Sequence, residues 1–215
     1  MIFNVQQLGL TIDNHQLLHN VSFSVAKGDW LTIIGPSGSG KSTLLRCLAT
    51  LMTPTSGSIE YAGKPLTSYE KIAYRREVSY CFQQPSLFGE TVYDNLVFPF
   101  SIRNVTPNEA RMVELLEQVQ LPASMLRQPI TELSGGEKQR VALIRNVMFE
   151  PAVLLLDEVT TGLDADTKQL VLNWLHQLNQ AGVTVVAVTH DESEITAATR
   201  TQQVVAGAAE ELAHA

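Results

Sequence analysis

A chain of 215 residues with 45% hydrophobic and 17% charged residues can bury a substantial core and does not have the composition of a disordered protein. Its formal net charge of -7, from 15 Lys and Arg against 22 Asp and Glu, argues against a general nucleic-acid binder, which would carry a basic face. The opening MIFNVQQLGL lacks a basic region followed by a long apolar run, so it is not read as a signal peptide, and no apolar stretch approaches the roughly 20 residues of a membrane-spanning helix.

Residues 2–8 and 21–25 read as extended segments, with a polar turn at 13–16 between them. His15 and His19 are four apart, but Asn14 and Asn20 flank them in a turn-like region, which argues against a metal pair. A short apolar strand at 31–34 runs into Gly35-Pro36-Ser37-Gly38-Ser39-Gly40-Lys41-Ser42-Thr43, and residues 42–50 then place Leu44, Leu45 and Leu48 at helical spacing.

Gly35-x-x-x-x-Gly40-Lys41-Ser42 is the P-loop pattern, and it has the expected strand before it and helix after it. Glycines let the backbone bend until several N–H groups face phosphate oxygens, and the helix beginning near Lys41 adds its positive end. In this reading Lys41 reaches the β- and γ-phosphates of ATP and the Ser42 hydroxyl ligates Mg²⁺.

Strands at 58–61 and 78–81 follow. Cys47 and Cys81 lie far apart, show no C-x-x-C spacing, and read as reduced thiols of a cytosolic protein. Residues 91–127 read as a mostly helical insertion. Thr106 is its expected N-cap, Pro107 lies in the first turn and Glu109 is the capping-box partner, while Met112, Leu115, Leu116 and Val119 share one face.

Leu133-Ser134-Gly135-Gly136-Glu137 contains a second capping box, Ser134 with Glu137, before a helix carrying Val141, Leu143, Ile144 and Val147. A capping box does not require two glycines. Gly135 and Gly136 leave first-turn N–H groups uncovered, so a phosphate can approach. The chain already has one phosphate loop, and this second helix end suggests service to another molecule's nucleotide.

From residue 152 an α/β rhythm returns: a strand at 153–156, a helix at 166–179, a strand at 183–188, a short helix after Asp191 and a last strand near Val204. The Ala- and Glu-rich tail after Gly207 is expected to fray. Alternating strands and helices imply a mainly parallel sheet covered on both faces. Asp157 and Glu158 follow the first of these strands directly; Asp157 is placed to hold a Mg²⁺ shell and Glu158 to polarise an attacking water.

Taken together, the P-loop and the Leu133-Ser134-Gly135-Gly136-Glu137 signature make nearly the whole chain resemble the ABC ATPase family. The resemblance implies an α/β P-loop NTPase fold with a mainly parallel core sheet, an N-terminal antiparallel β subdomain and a helical insertion. It divides the chain into a catalytic core at 1–90 and 128–215 and a helical subdomain at roughly 91–127, all within a single ABC ATPase domain. It also implies that Gln83 contacts Mg²⁺ and water and senses a transporter, that Asp164 lies at a dimer seam, and that His190 contacts the γ-phosphate. Two copies are expected to close head to tail on two ATP molecules, each held between the P-loop of one copy and Ser134-Gly135-Gly136 of the other, against an integral membrane permease. The expected location is cytoplasmic, on the inner face of the cell membrane, with no nucleic-acid partner.

Ile12 stands where the family stacks an aromatic residue on adenine, which implies an apolar contact and leaves base selectivity open. Val159 replaces a common Pro or Ala with no chemical consequence, and with 25 residues after His190 no regulatory domain is expected. The stretches Val78-Ser79-Tyr80-Cys81 and Pro85 to Leu96, with Ile102-Arg103-Asn104, resemble the FetA-like (YbbL-like) ATP-binding subunits of bacterial iron exporters. Two rival readings are a soluble ABC-type ATPase acting on nucleic acid or ribosomes and a P-loop small-molecule kinase. The first would carry coiled-coil arms or two cassettes, and the second would need neither the Ser134 signature nor His190.

Overall fold

The computed structural model describes residues 1–191, 194–195, 200–205 and 208–212. Its internal contacts divide the chain into two compact units. The first comprises Met1–Tyr80, Ala152–Glu158 and Asn179–Ala215, and the second Cys81–Pro151 and Val159–Leu178.

The first unit begins with a hairpin. Strands β1 (Phe3–Ile12) and β2 (His15–Val25) are joined by Asp13 and Asn14, both left-handed with φ of 49° and 64°, a backbone that Asp and Asn tolerate in a two-residue turn. The strands are longer than the segments expected at 2–8 and 21–25. Left-handed Gln7 and Asn20 and several register shifts interrupt the period-two alternation by which a strand is read from sequence. With β4 (Ser56–Tyr61) and β5 (Lys64–Pro65) they form a four-stranded antiparallel sheet, in the order β2-β1-β4-β5.

The second sheet of this unit contains β3 (Trp30–Ile34), β6 (Val78–Cys81), β7 (Val153–Asp157), β8 (Thr184–Val188), β9 (Arg200–Val205) and β10 (Ala208–Leu212), in the order β10-β9-β3-β8-β7-β6. The pairs β9/β3, β3/β8 and β8/β7 are parallel. Strand β7 is buried throughout, and its continuous apolar run at 153–156 suits such a central parallel strand.

Where a frayed tail was expected, β10 instead pairs antiparallel with β9, so backbone pairing overrides the weak strand preference of Ala and Glu. Of the short helix expected after Asp191, Glu194 and Ile195 are helical, and the rest lies outside the described residues.

Helix α1 (Lys41–Leu48) buries Leu44, Leu45 and Leu48 in a core shared with Phe3, Leu8, Leu31, Ile33, Val153 and Val186. Burial of one such side chain contributes about 1.5–3 kcal/mol. Helix α2 (Lys71–Glu77) was not legible in sequence because it buries only Tyr74 and so shows no apolar period; the Glu70 carboxylate caps it by accepting the Ile72 and Ala73 N–H groups.

The second unit is helical. Helix α3 (Val92–Ser101) starts at a capping box made by Thr91 and Asp94. Helix α4 (Glu109–Gln118) is capped by Asn108, whose side-chain oxygen accepts the Arg111 N–H at 3.1 Å, and not by Thr106 as expected. Glu109 is then the first residue of the helix rather than the third, so it completes no capping box, and its carboxylate pairs with Arg127 at 2.7 Å. The face predicted for this helix is correct: Met112, Leu115, Leu116 and Val119 are fully buried.

Helix α5 (Gly135–Val147) follows Ser134, and α6 (Ala165–Gln180) buries Val171, Trp174 and Leu175. The Trp174 indole N–H donates to Gln118 Oε1 at 3.1 Å. Among the described residues no helix is long and apolar enough to cross a membrane.

Candidate functional site

The loop between β3 and α1 is shaped by its glycines. Gly40, the α1 N-cap, has φ of 96°, and a Cβ there would lie 2.6 Å from the Leu17 carbonyl oxygen and 2.9 Å from Leu18 Cδ2. Glycine is therefore dictated both by backbone conformation and by the approach of β2. Gly38 also has positive φ, 78°, but faces open space.

Lys41 is almost buried, and its ammonium donates to the Gly35 and Pro36 carbonyls at 2.8 and 2.9 Å, inside the loop's own ring. The Ser39 hydroxyl is buried with no hydrogen-bond partner. The first turn of α1 has neither a side-chain cap nor an acidic residue, although its Lys41, Ser42 and Thr43 amides lie at the positive helix end. A cation, an orphaned hydroxyl and an uncapped helix start on a glycine-shaped loop fit a phosphate chain.

Asp157 ends β7 and is 2% exposed. Its Oδ1 accepts the Ser42 hydroxyl at 2.7 Å, and its Oδ2 accepts the Tyr80 phenol at 2.5 Å. Burial and the Asp157 carboxylate push the Tyr80 phenol well above its ordinary pKa, so it remains a proton donor. Ser42 and Asp157 form a compact set of oxygen donors of the kind that suits a small divalent cation, with waters completing its shell. Among the described residues no group of three or more His, Cys, Asp and Glu is placed to hold a metal ion without such help.

Glu158, the next residue, has φ of 51°, a conformation that costs a non-glycine residue on the order of 1–3 kcal/mol. Its N–H is tied to the Val188 carbonyl at 3.0 Å, and its Oε2 lies 3.4 Å from His190 Nδ1. The His190 side chain is 62% exposed, while Glu158 is 17% exposed. Ile12, at the tip of the β1/β2 hairpin, is exposed.

In the second unit, Gln83 is exposed in the loop after β6. That loop is braced by buried Asn95, whose amide donates to the Phe88 and Thr91 carbonyls, and by Arg145, which donates to the Ser86 carbonyl at 2.9 Å and to Asn95 Oδ1 at 3.0 Å.

Ser134 and Glu137 form the expected capping box. The Ser134 N–H and hydroxyl both donate to Glu137 Oε2 at 2.8 Å and hold that carboxyl below its usual range. A Cβ on Gly135 would meet nothing within 4 Å, and one on Gly136 only ordinary contacts with Leu163 and Thr167; neither residue has positive φ. The fold itself therefore does not require glycine at either position. The Asp164 carboxylate accepts the Thr167 N–H at 3.0 Å, and this bond lowers its pKa.

The structure thus joins Ser42 to Asp157 and Glu158 to His190 within the first unit, and it places Gln83, Ser134, Gly135, Gly136 and Asp164 in the second. Sequence reasoning missed Tyr80. Its signal was a hydroxyl-bearing ring in a short, largely buried strand.

Residues 18–161 match the family model described as ABC transporter. The chain is 46% identical to the probable iron export ATP-binding protein FetA of Escherichia coli K12, over 90% of this chain and 87% of that protein. It is 41% identical to the methionine import ATP-binding protein MetN of Chlamydia abortus, over 88% of this chain but only 58% of that longer relative. The fold superposes on the dimeric structure of a post-hydrolysis state of the ATP-binding cassette MJ0796 bound to ADP and Pi, with a TM-score of 0.88 and 27% identity, covering 99% of this chain and 100% of that one.

Proposed function

This chain belongs to the ABC transporter family as an ATP-hydrolysing subunit, and we propose from that premise that it energises export of iron or another metal ion through a separate membrane permease. The observation that carries the export reading is the 46% identity to an iron export subunit, which extends over most of both chains. The methionine import relative is matched over little more than half its length, which gives it less weight. The proposed location is the cytoplasmic face of the cell membrane.

Two copies close on ATP. The P-loop from Gly35 to Thr43 wraps the phosphates with backbone N–H groups, and Lys41 leaves its two carbonyls to reach the β- and γ-phosphates. Ser42 and Asp157, with Gln83, would hold Mg²⁺, which would neutralise charge developing on the phosphate oxygens. Ile12 contributes an apolar contact to adenine.

Glu158 orients and deprotonates the attacking water, and His190 beside it contacts the γ-phosphate. Ser134, Gly135 and Gly136 bring a bare helix end to the partner copy's nucleotide, while Asp164 lies at the seam. Hydrolysis removes the shared γ-phosphate contacts and allows the copies to part.

The permease docks on the second unit, where Phe82, Phe88, Phe98, Ile102 and Val105 are all exposed and the Phe88 and Phe98 rings stack edge to face at 5.1 Å. The test is co-purification of the chain with its permease, followed by ATPase assays in membranes. Stimulation by iron or another metal ion supports the reading; stimulation by an amino acid or an oxyanion, with none by metals, overturns the export substrate.

A further inference from the structure

We propose that Tyr80 is a positioning residue for the Mg²⁺ site, holding Asp157 so that one chosen carboxylate oxygen faces the cation. The proposal rests on the reading that Ser42 and Asp157 serve a divalent ion.

A carboxylate on a single χ2 torsion rotates unless something distinguishes its two oxygens, because that torsion is broad and nearly two-fold. Asp157 has a different partner on each oxygen: the Ser42 hydroxyl at Oδ1 and the Tyr80 phenol at Oδ2. Only Ser42 is itself a cation ligand in that reading. Its oxygen can turn a lone pair to the ion while its proton stays on Asp157 Oδ1. Oδ1 is therefore the oxygen on the cation side, and Tyr80 anchors the other.

Tyr80 is suited to this task. It is 9% exposed and lies on β6, the strand next to β7, so its ring is fixed by packing. The Arg46 guanidinium lies beside the same phenol oxygen, which leaves the phenol proton to be given to Asp157. A second partner that orients a metal-binding group matters to affinity almost as much as the ligand does.

The Tyr80 phenol is bonded to the carboxylate that serves the cation, so its removal should be felt in divalent-ion binding and not in nucleotide binding without metal. Tyr80→Phe deletes one oxygen and keeps the ring.

The experiment measures three quantities for the wild type, Tyr80→Phe, Asp157→Asn and the double variant, each also carrying Glu158→Gln for the binding measurements. These are fluorescent-nucleotide affinity in EDTA, Mn²⁺ affinity of the nucleotide-loaded protein by electron paramagnetic resonance, and, in the parent forms, the Mg²⁺ concentration for half-maximal ATPase rate.

The expected result is a loss of Mn²⁺ affinity and a rise in Mg²⁺ requirement of about tenfold or more for Tyr80→Phe, with metal-free nucleotide affinity and melting temperature held. In the Asp157→Asn background Tyr80→Phe should add nothing, because its effect passes through Asp157. If Asp157→Asn weakens Mn²⁺ binding and Tyr80→Phe does not, the positioning role is wrong and the cation reading stands. If Asp157→Asn itself leaves divalent binding unchanged, the cation reading fails first. A Tyr80→Phe protein that loses metal-free nucleotide binding in proportion has only a structural defect, which also overturns the proposal.

Discussion

Glu158 Oε2 and His190 Nδ1 stand 3.4 Å apart, brought together by the neighbouring parallel strands β7 and β8 and by the bond from the Glu158 N–H to the Val188 carbonyl. The carboxylate is held in a left-handed backbone with φ of 51° that a residue of its type adopts only under constraint. Glu158→Gln keeps the shape of the side chain but cannot accept a proton. It should bind ATP normally, hydrolyse it roughly 100- to 10,000-fold more slowly, and accumulate as an ATP-bound dimer on size-exclusion chromatography. Wild-type phosphate release from this variant would remove Glu158 as the base.

Lys41 has two backbone carbonyls as partners inside the loop. Lys41→Ala should lower ATP affinity by roughly two orders of magnitude, since charged hydrogen bonds contribute about 1.5–3 kcal/mol each. Titration with a fluorescent ATP analogue measures this, and unchanged affinity contradicts the role of the loop.

Gly135 separates what the fold needs from what the dimer needs. A Cβ there meets nothing within 4 Å, so Gly135→Ala should leave the melting temperature unchanged or raise it, the helix gaining up to about 1 kcal/mol. ATP-dependent dimerisation should nevertheless fall, because the added methyl covers the helix end offered to the partner's nucleotide. Static light scattering with ATP reads the second effect and thermal unfolding the first. A protein that dimerises like the wild type shows that this helix end does not act in trans.

Burial pushes the Cys47 and Cys81 thiols up from 9.0 to about 12, and it raises the Tyr61, Tyr74 and Tyr80 phenols as well. Above the unfolded thiol pKa the unfolded chain loses these protons while the native state keeps them, so the native state binds more protons and stability falls as pH rises. Unfolding free energy from urea titrations should be fully retained below pH 9 and decline between pH 9 and about 12. A flat profile across that window would show that these groups are not buried as described.

Much of this protein is legible from residue order because the decisive signals are local. The P-loop strand, its glycines and the helix after Lys41 are contiguous, as are the capping box at Ser134 and the apolar run that ends at Asp157. Spacing alone also assigned the buried face of α4, although it misplaced the cap: Asn108 and Thr106 are both N-cap residue types two positions apart, and the helix starts from Asn108. Bulged β1 and α2, which buries only Tyr74, gave no clean period to read, and β10 exists because β9 offers it a backbone partner.

Residue order determined which chemical groups this chain carries; only the tertiary structure decided how they are paired. Ser42, Tyr80 and Asp157 are far apart in the chain and meet at the end of one buried strand. The physical reason is that hydrogen-bond partners across a sheet are chosen by strand order and register, which depend on the packing of the whole core rather than on any neighbouring stretch of sequence.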